Sequence, residues 1–377
     1  MPEYNFDPIR PYYTEELPEA FQRIVKDENF KHLLNYLFPV EQHEMLTEKI
    51  INATDTHQFQ LDFMLPVIRS ILQKTAGEIT VSGIENIEKG KGYVFIANHR
   101  DIILDSSILA LHLVNHGHET CKITWGDNLM ISPLVVDIGK VNRMVTVYRE
   151  GSPKEIFNNS LLLSAYIRES VTKKHQTVWI AQRKGRSKDG TDTTDVGVLK
   201  MLSMTGGRNI IDSLRNLRIT PVSISYEWEP CDAMKVRELM ISEDATYVKD
   251  ENEDLRSIIG GVVTDKGRIH VSIGTPLDKE LDRINSAQRP NEILHNIAHL
   301  VDRQIHENYK LWPSNELAYQ MLTNHNEPAG EFNDQTVSYF NNRMEAAINI
   351  DASKKEKLRE LFLKLYANPV VNKNAAK

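Results

Sequence analysis

The chain has 377 residues and a formal net charge of −7 at pH 7, an acidic balance that argues against a general nucleic-acid binder. Its two cysteines, Cys121 and Cys231, are too few for a disulfide framework and fit a reducing compartment. No run approaches the roughly 18 apolar residues of a membrane-spanning helix, and the acidic start reads as no secretory signal.

Residues 1–16, rich in Pro and Tyr, read as an extended or disordered arm, and 17–76 as an N-terminal helical region. There Phe30, Leu33, Leu34 and Leu37 share one helical face, and Leu61, Met64, Leu65, Ile68 and Leu72 share another. The second helix is more apolar than its Asp62, Arg69 and Lys74 require, with Phe63 and Val67 off the main stripe. Packing on the next domain is expected; lying in a membrane interface is the sharper alternative.

From 77 to 285, strand-like runs (79–81, 94–97, 122–125, 145–147, 178–180, 221–225 and 269–273) alternate with helical patterns. That rhythm predicts an α/β domain: a largely parallel sheet flanked by helices, with helical appendages at both ends. Segment 227–258, with its acidic Asp250-Glu251-Asn252-Glu253-Asp254, reads as a surface insertion, and Asp265-Lys266-Gly267 as a turn into the last strand. A C-terminal helical region is expected over 286–368, with Ile293, Ile297, Leu300, Val301 and Ile305 in one stripe. Ser353-x-x-Glu356 reads as a capping box opening a helix that Pro369 stops, leaving 369–377 extended or disordered.

Two strand ends carry the chemistry. Asn98-His99-Arg100-Asp101-Ile102-Ile103-Leu104-Asp105 joins a buried strand to a helix, where α/β enzymes place catalytic bases. An aspartate there can fix one imidazole nitrogen while the other takes a proton; the plainer reading is a capped helix. The second end, Gln182-Arg183-Lys184-Gly185-Arg186-Ser187-Lys188, sets four cations around a glycine, as an anion cradle or a solvated basic turn. Together they are better explained as one site.

Competing motifs fail. His99-Arg100-Asp101 matches the start of a kinase catalytic loop, but Ser106 stands where the metal-binding Asn belongs and no Asp-Phe-Gly follows. His112, His116 and His118 could suggest a metal site. No cysteine or carboxylate completes it convincingly, so a role at the helix C-terminal dipole is favoured. Gly-x-Ser-x-Gly is absent.

With these residues in view, the chain resembles the glycerolipid acyltransferases, the glycerol-3-phosphate and lysophosphatidic acid acyltransferases. Four blocks align in order over about 80–280: Asn98-His99 with Asp105; Gly139 through Val145-Thr146-Val147-Tyr148-Arg149; Gln182 to Ser187; and Ile219-Thr220-Pro221-Val222-Ser223-Ile224. The resemblance implies transfer of a fatty acyl group from a thioester of coenzyme A or acyl carrier protein to a hydroxyl of glycerol 3-phosphate or lysophosphatidic acid. It implies His99 as base and Asp105 as its partner, with Arg149, Arg183, Lys184, Gly185 and Arg186 around the acceptor's phosphate. No metal or redox cofactor is called for, and the protein is expected as a peripheral one on the cytoplasmic face of a membrane. Two departures stand out. Five residues rather than four separate His99 from Asp105, which keeps Asp101 as the alternative partner. Lys184 replaces the family's Glu, either strengthening anion binding or removing a salt bridge that orients Arg186. A phosphate-free lysolipid acceptor, or a catalytically weakened lipid- or carrier-binding protein, are the competing functions.

Overall fold

In the computed structural model, which describes residues 4–244, 253–323 and 332–376, each of the seven β-branched and aromatic runs forms a strand. They are β1 (Ile79–Ser82), β2 (Val94–Ala97), β3 (Lys122–Gly126), β4 (Met144–Val147), β5 (Val178–Ala181), β6 (Ile219–Tyr226) and β7 (Ile269–Ile273). They make one sheet in the order β1-β7-β6-β2-β5-β3-β4. All neighbours run parallel except β6 and β7. Parallel neighbours need long crossovers, and helices Leu104–Asn115, Pro133–Val141 and Pro153–Thr172 supply those between β2, β3, β4 and β5. The α/β class with a largely parallel sheet is therefore the observed architecture.

β2 sits between β5 and β6, with Val94 opposite Val178 and Ile219, and all four of its residues are buried. A strand covered on both faces reads as a continuous apolar run, because every side chain finds a packed layer. Phe95, Ala97, Ile123 and Trp179 face a core shared with the N-terminal helices. Val94, Ile96, Val145, Val178 and Ile180 face another, shared with helices Pro153–Thr172, Val196–Ser203 and Pro290–Asn308.

The N-terminal helices thus pack on the sheet: Phe21, Phe30, Phe59 and Phe63 are buried there, with the Phe21–Phe59 rings 5.5 Å apart and Phe30–Phe63 5.6 Å apart. Phe63 and Val67, off the straight helical stripe, are nonetheless buried. A π-turn over Gln60–Met64 precedes helix Leu65–Thr75 and shifts the register, turning both inward. The arm is extended but pinned: Thr146 N donates to Ile9 O at 2.9 Å, Tyr12 Oη donates to Asp137 Oδ1 at 2.7 Å, and Phe6 meets Tyr166 edge-on. Residues 4–16 are accordingly placed, and 1–3 lie outside the described residues.

Three expectations need correction. The 227–258 segment is no mere surface insertion. Its helix Asp232–Asp244 buries Val236 and Met240 against Phe340 and Phe362 of helices Asp334–Ile348 and Lys355–Ala376. Within its acidic stretch, Asp250, Glu251 and Asn252 lie outside the described residues. Pro369 does not stop the last helix, which runs Lys355–Ala376. Tertiary contacts hold the tail: Asn368 donates to Asp189 O at 2.6 Å, Asn372 to Gly190 O and Thr191 O at 3.0 and 2.9 Å, and Lys373 to Tyr309 O at 2.6 Å. The Leu365 carbonyl, robbed of its usual donor by Pro369, instead faces Gly190, where a Cβ would stand 2.5 Å from it. Ser353 forms no capping box; Asp351 takes the N-cap position, accepting from Ser353 N at 2.9 Å.

Candidate active site

The loops at the C-terminal ends of β2, β3, β4 and β5 converge on one cavity of about 1240 Å³, the end of an open α/β sheet where ligands bind. At the β2 end, Asn98 joins the loop to β6, with Ile224 N donating to Asn98 Oδ1 at 2.8 Å and Asn98 Nδ2 donating to Ile224 O at 3.0 Å. His99 follows, its side chain 15% exposed and lining the cavity, its ring edge-on to Trp179 at 5.5 Å. His99 Nδ1 lies 2.9 Å from Asp105 Oδ2. Asp105 is an acceptor only, so Nδ1 carries the hydrogen and Nε2 is left as a lone-pair site. Nε2 has no hydrogen-bond partner among the described residues.

Asp105, in the first turn of helix Leu104–Asn115, is saturated. Its Oδ2 also accepts from Arg100 N at 2.6 Å and Asp101 N at 3.0 Å, while Tyr226 Oη donates to Oδ1 at 2.8 Å. Burial, together with Asp105, pushes the Tyr226 phenol well above its ordinary range, so it remains a donor. Asp101 does different work. Its Oδ1 accepts from Ile103 N at 2.9 Å and Leu104 N at 2.8 Å, capping the helix. Its Oδ2 is buried without a partner, and burial, then Asp105, raises its carboxyl. Gly261 of helix Glu253–Val263 packs so closely that a Cβ there would stand 2.1 Å from Asp101 Oδ2. The extra residue between His99 and Asp105 is absorbed in this capped turn.

The basic loop after β5 forms another part of the cavity wall. Gly185 has φ +76 with open space around it, a left-handed conformation that glycine takes without cost and that leaves the backbone accessible. Arg183 is partly engaged, with NH2 3.4 Å from Asp189 Oδ1, and Lys184 is exposed on the wall. Arg186 donates through NH2 to Ser257 Oγ at 3.0 Å, while its NH1 is buried without an acceptor. Arg186 therefore needs no acidic neighbour at 184 to hold it, because helix Glu253–Val263 supplies a hydroxyl. At the β4 end, the Arg149 guanidinium lies over Gly126 and donates no hydrogen bond to any described residue. Burial pulls Arg149 below its ordinary value, against the influence of Asp127 and Asp254. A half-buried guanidinium with N–H groups that donate to no carboxylate can take up an anion by charge-assisted hydrogen bonds.

Much of the remaining cavity wall is apolar, although Asn128, Asn159, Asp195, Glu238 and Asp254 also line it. Leu33, Leu37, Met64, Ile68, Leu134 and Ile138 contribute from the N-terminal helices and helix Pro133–Val141. The structure thus brings His99, Arg149, Arg183, Lys184, Gly185 and Arg186 onto one cavity, with Asp105 behind His99. Sequence reasoning missed Tyr226 and the buried Asp192, Glu229 and Lys235; only the end of the fourth block could have pointed to Tyr226. The three histidines form no metal site: among the described residues no group of three or more His, Cys, Asp or Glu could hold one. Nor does His112 serve the helix dipole as a cation, since burial, then His116, pulls it down to about 4. His116 lies with Nδ1 2.8 Å from the His112 carbonyl and satisfies that helix end.

Residues 78–225 match the family model described as Acyltransferase. Within that span a histidine held by a carboxylate lies beside cations and an apolar wall, an arrangement chemically suited to acyl transfer. Residues 78–225 are thus an acyltransferase domain, the four blocks in order are similar to those of the glycerolipid acyltransferases, and the chain is an O-acyltransferase. No curated protein gives a significant match. Among solved structures, the 1-acyl-sn-glycerophosphate (LPA) acyltransferase PlsC from Thermotoga maritima matches at 15% identity, covering 76% of this chain and 92% of that one, with a TM-score of 0.36. So loose a superposition adds nothing to the assignment.

Proposed function

We propose that the protein transfers a fatty acyl group from an acyl thioester, carried by coenzyme A or acyl carrier protein, to a hydroxyl of glycerol 3-phosphate or lysophosphatidic acid in phospholipid synthesis. The observation that carries this reading is the cavity itself. It presents the free nitrogen of His99, the Arg149 guanidinium, the Arg186 guanidinium with its NH1 buried without an acceptor, and an apolar wall along the N-terminal helices. Its volume of about 1240 Å³ exceeds the roughly 300–1,000 Å³ typical of small-molecule sites.

In this reading Arg149, Arg186 and Lys184, with Arg183 beside them, hold the acceptor's phosphate and so place its hydroxyl. His99 Nε2 removes the hydroxyl proton as oxygen attacks the thioester carbonyl, and Asp105 stabilises the imidazolium that forms. The tetrahedral oxyanion collapses, the carbon–sulfur bond breaks, and the imidazolium returns its proton to the leaving thiolate. A thioester is activated already, so the proposed step calls on no cofactor.

A lipid acceptor has to be met at a bilayer surface, and peripheral attachment is part of the proposal. Among the described residues no helix is long and apolar enough to cross a membrane. Tyr36, Ile131, Leu255, Ile259 and Val263 are large, exposed and on the cavity wall, an apolar patch suited to that contact. Cys121 and Cys231 are both free, in keeping with the cytoplasmic face.

The test is thiol release from an acyl thioester by purified protein with a panel of acceptors. Release dependent on a phosphate-bearing glycerol or lysolipid, and reduced at least about 10²-fold in His99→Ala, is expected. Release with phosphate-free lysolipids alone, or none at all, overturns the proposal.

A further inference from the structure

The turn carrying His99 is held by buried charges, several outside residues 78–225. Arg100, next to His99, has a wholly buried side chain. Its guanidinium bonds Asp192 on one side and Glu229 Oε2, at 3.3 Å, on the other, and lies 5.4 Å from the centroid of the Tyr309 ring. Its main chain is gripped at both ends: the N–H donates to Asp105, and the carbonyl accepts from Lys235 Nζ at 2.7 Å. Lys235 also bonds Glu229 Oε1 at 2.5 Å. Two cations and two carboxylates close a set of zero formal charge. The C-terminal helices fix Glu229 in turn. Its N–H donates to Tyr366 Oη at 2.9 Å, its carbonyl accepts from Arg343 NH2 at 3.0 Å, and Tyr366 and Arg343 both bond Asp232 Oδ2 at 2.8 Å.

Buried ion pairs stabilise a fold no better than apolar residues of the same shape, because desolvation cancels most of the attraction. What such a set supplies is a fixed backbone and a fixed field. We propose that Glu229 and Lys235 are positioning residues for the acyl-transfer step. They hold the Arg100 peptide so that a turn one residue longer than the family's still presents His99 to Asp105, and their opposite charges balance the field at the imidazole. Other charges face His99: Asp105 with Tyr226 behind it, Arg100 and Asp101 in its own turn, and Arg149, Arg183, Lys184, Arg186, Lys188, Asp195, Glu238 and Asp254 on the shared cavity. Asp192 lies behind Arg100. None changes when only 229 and 235 are varied. The inference rests on His99 being the base.

The experiment compares Glu229→Gln, Lys235→Met and the double variant, reading kcat/KM against pH and the His99 imidazole titration by NMR. Glu229→Gln leaves an uncompensated positive charge, disfavours the imidazolium, and should move the acidic limb and the titration to lower pH. Lys235→Met leaves a negative charge and should move both to higher pH. Each displacement should be roughly half a pH unit, what a unit charge about 10 Å away gives at an effective dielectric of about 40. The double variant should return to the wild-type pH while kcat stays about 10-fold down, with KM little changed. Displacements in the same direction, or none, would reduce the set to a structural role and overturn the proposal. If either single variant fails to fold, Lys235→Arg and the double variant, both neutral overall, carry the test, and an undiminished kcat overturns it. NMR separates the two ideas. Opposite shifts in a protein without acyl transfer sink the proposed function alone, and activity without opposite shifts sinks this inference alone.

Discussion

Replacing Asp105 by Asn asks whether the charge of this carboxylate, rather than its shape, serves the reaction at His99. Oδ2 receives three donors, His99 Nδ1 at 2.9 Å, Arg100 N at 2.6 Å and Asp101 N at 3.0 Å, and Oδ1 receives Tyr226 Oη at 2.8 Å. The two backbone donors cannot turn away, so an asparagine must put its amide oxygen where Oδ2 stands. Its NH2 then faces Tyr226 Oη, which can rotate its proton and accept. Orientation and tautomer survive and only the charge is lost. A charge-assisted bond contributes about 1.5–3 kcal/mol against about 0.5–1.5 for a neutral one, and the difference grows as the imidazolium forms. A loss of about 2–3 kcal/mol, or about 10² in kcat, follows, well short of the roughly 10⁴ seen when such a substitution installs the wrong tautomer. Asp101→Asn should stay within about 3-fold, because an amide oxygen preserves the cap and removes the cost of a buried, half-partnered carboxylate. Thiol release under saturating donor and acceptor, with thermal unfolding as the control for folding, measures both. Equal losses in the two variants would refute the assignment of partners, and a near-normal Asp105→Asn enzyme would refute the electrostatic argument.

Four further outcomes are expected. Arg186→Ala should raise KM for a phosphate-bearing acceptor about 10-fold or more, with KM for the thioester little changed. Lys184→Glu should also raise acceptor KM, since Arg186 is held by Ser257 and gains nothing from a carboxylate; higher activity would show the lysine to be a lesion. Buried His112, pulled from 6.5 to about 4, is neutral in the fold. Its contribution is therefore full above pH 6.5 and lost as pH falls towards 4, on the order of 2–3 kcal/mol. His112→Leu should make urea unfolding at pH 4.5 less different from that at pH 7, with part of the difference remaining because His270 is also pulled to about 4; an unchanged difference rejects the linkage. Deleting 17–75 should yield an insoluble remainder, because Phe21, Phe30, Phe59 and Phe63 share a core with Phe95 and Trp179 of the sheet. A soluble, folded remainder that merely loses vesicle binding would show that those helices serve the membrane alone.

All seven strands and the blocks bearing His99 and the basic loop were legible in the sequence. A buried strand must be apolar on both faces, and a strand-to-helix turn with His and Asp is chemically conspicuous on its own. The sequence could not choose between Asp101 and Asp105, because that choice depends on which oxygen the backbone amides of 100 and 101 reach once the turn is closed. It misjudged Pro369 and segment 227–258 for a related reason. A proline's cost is local, but Gly190, Tyr309 and the carbonyls that hold the tail are far away in sequence. Glu229 and Lys235 look like ordinary surface charges in a polar stretch, and only the tertiary structure, by bringing the C-terminal helices against the His99 turn, makes them buried partners of Arg100.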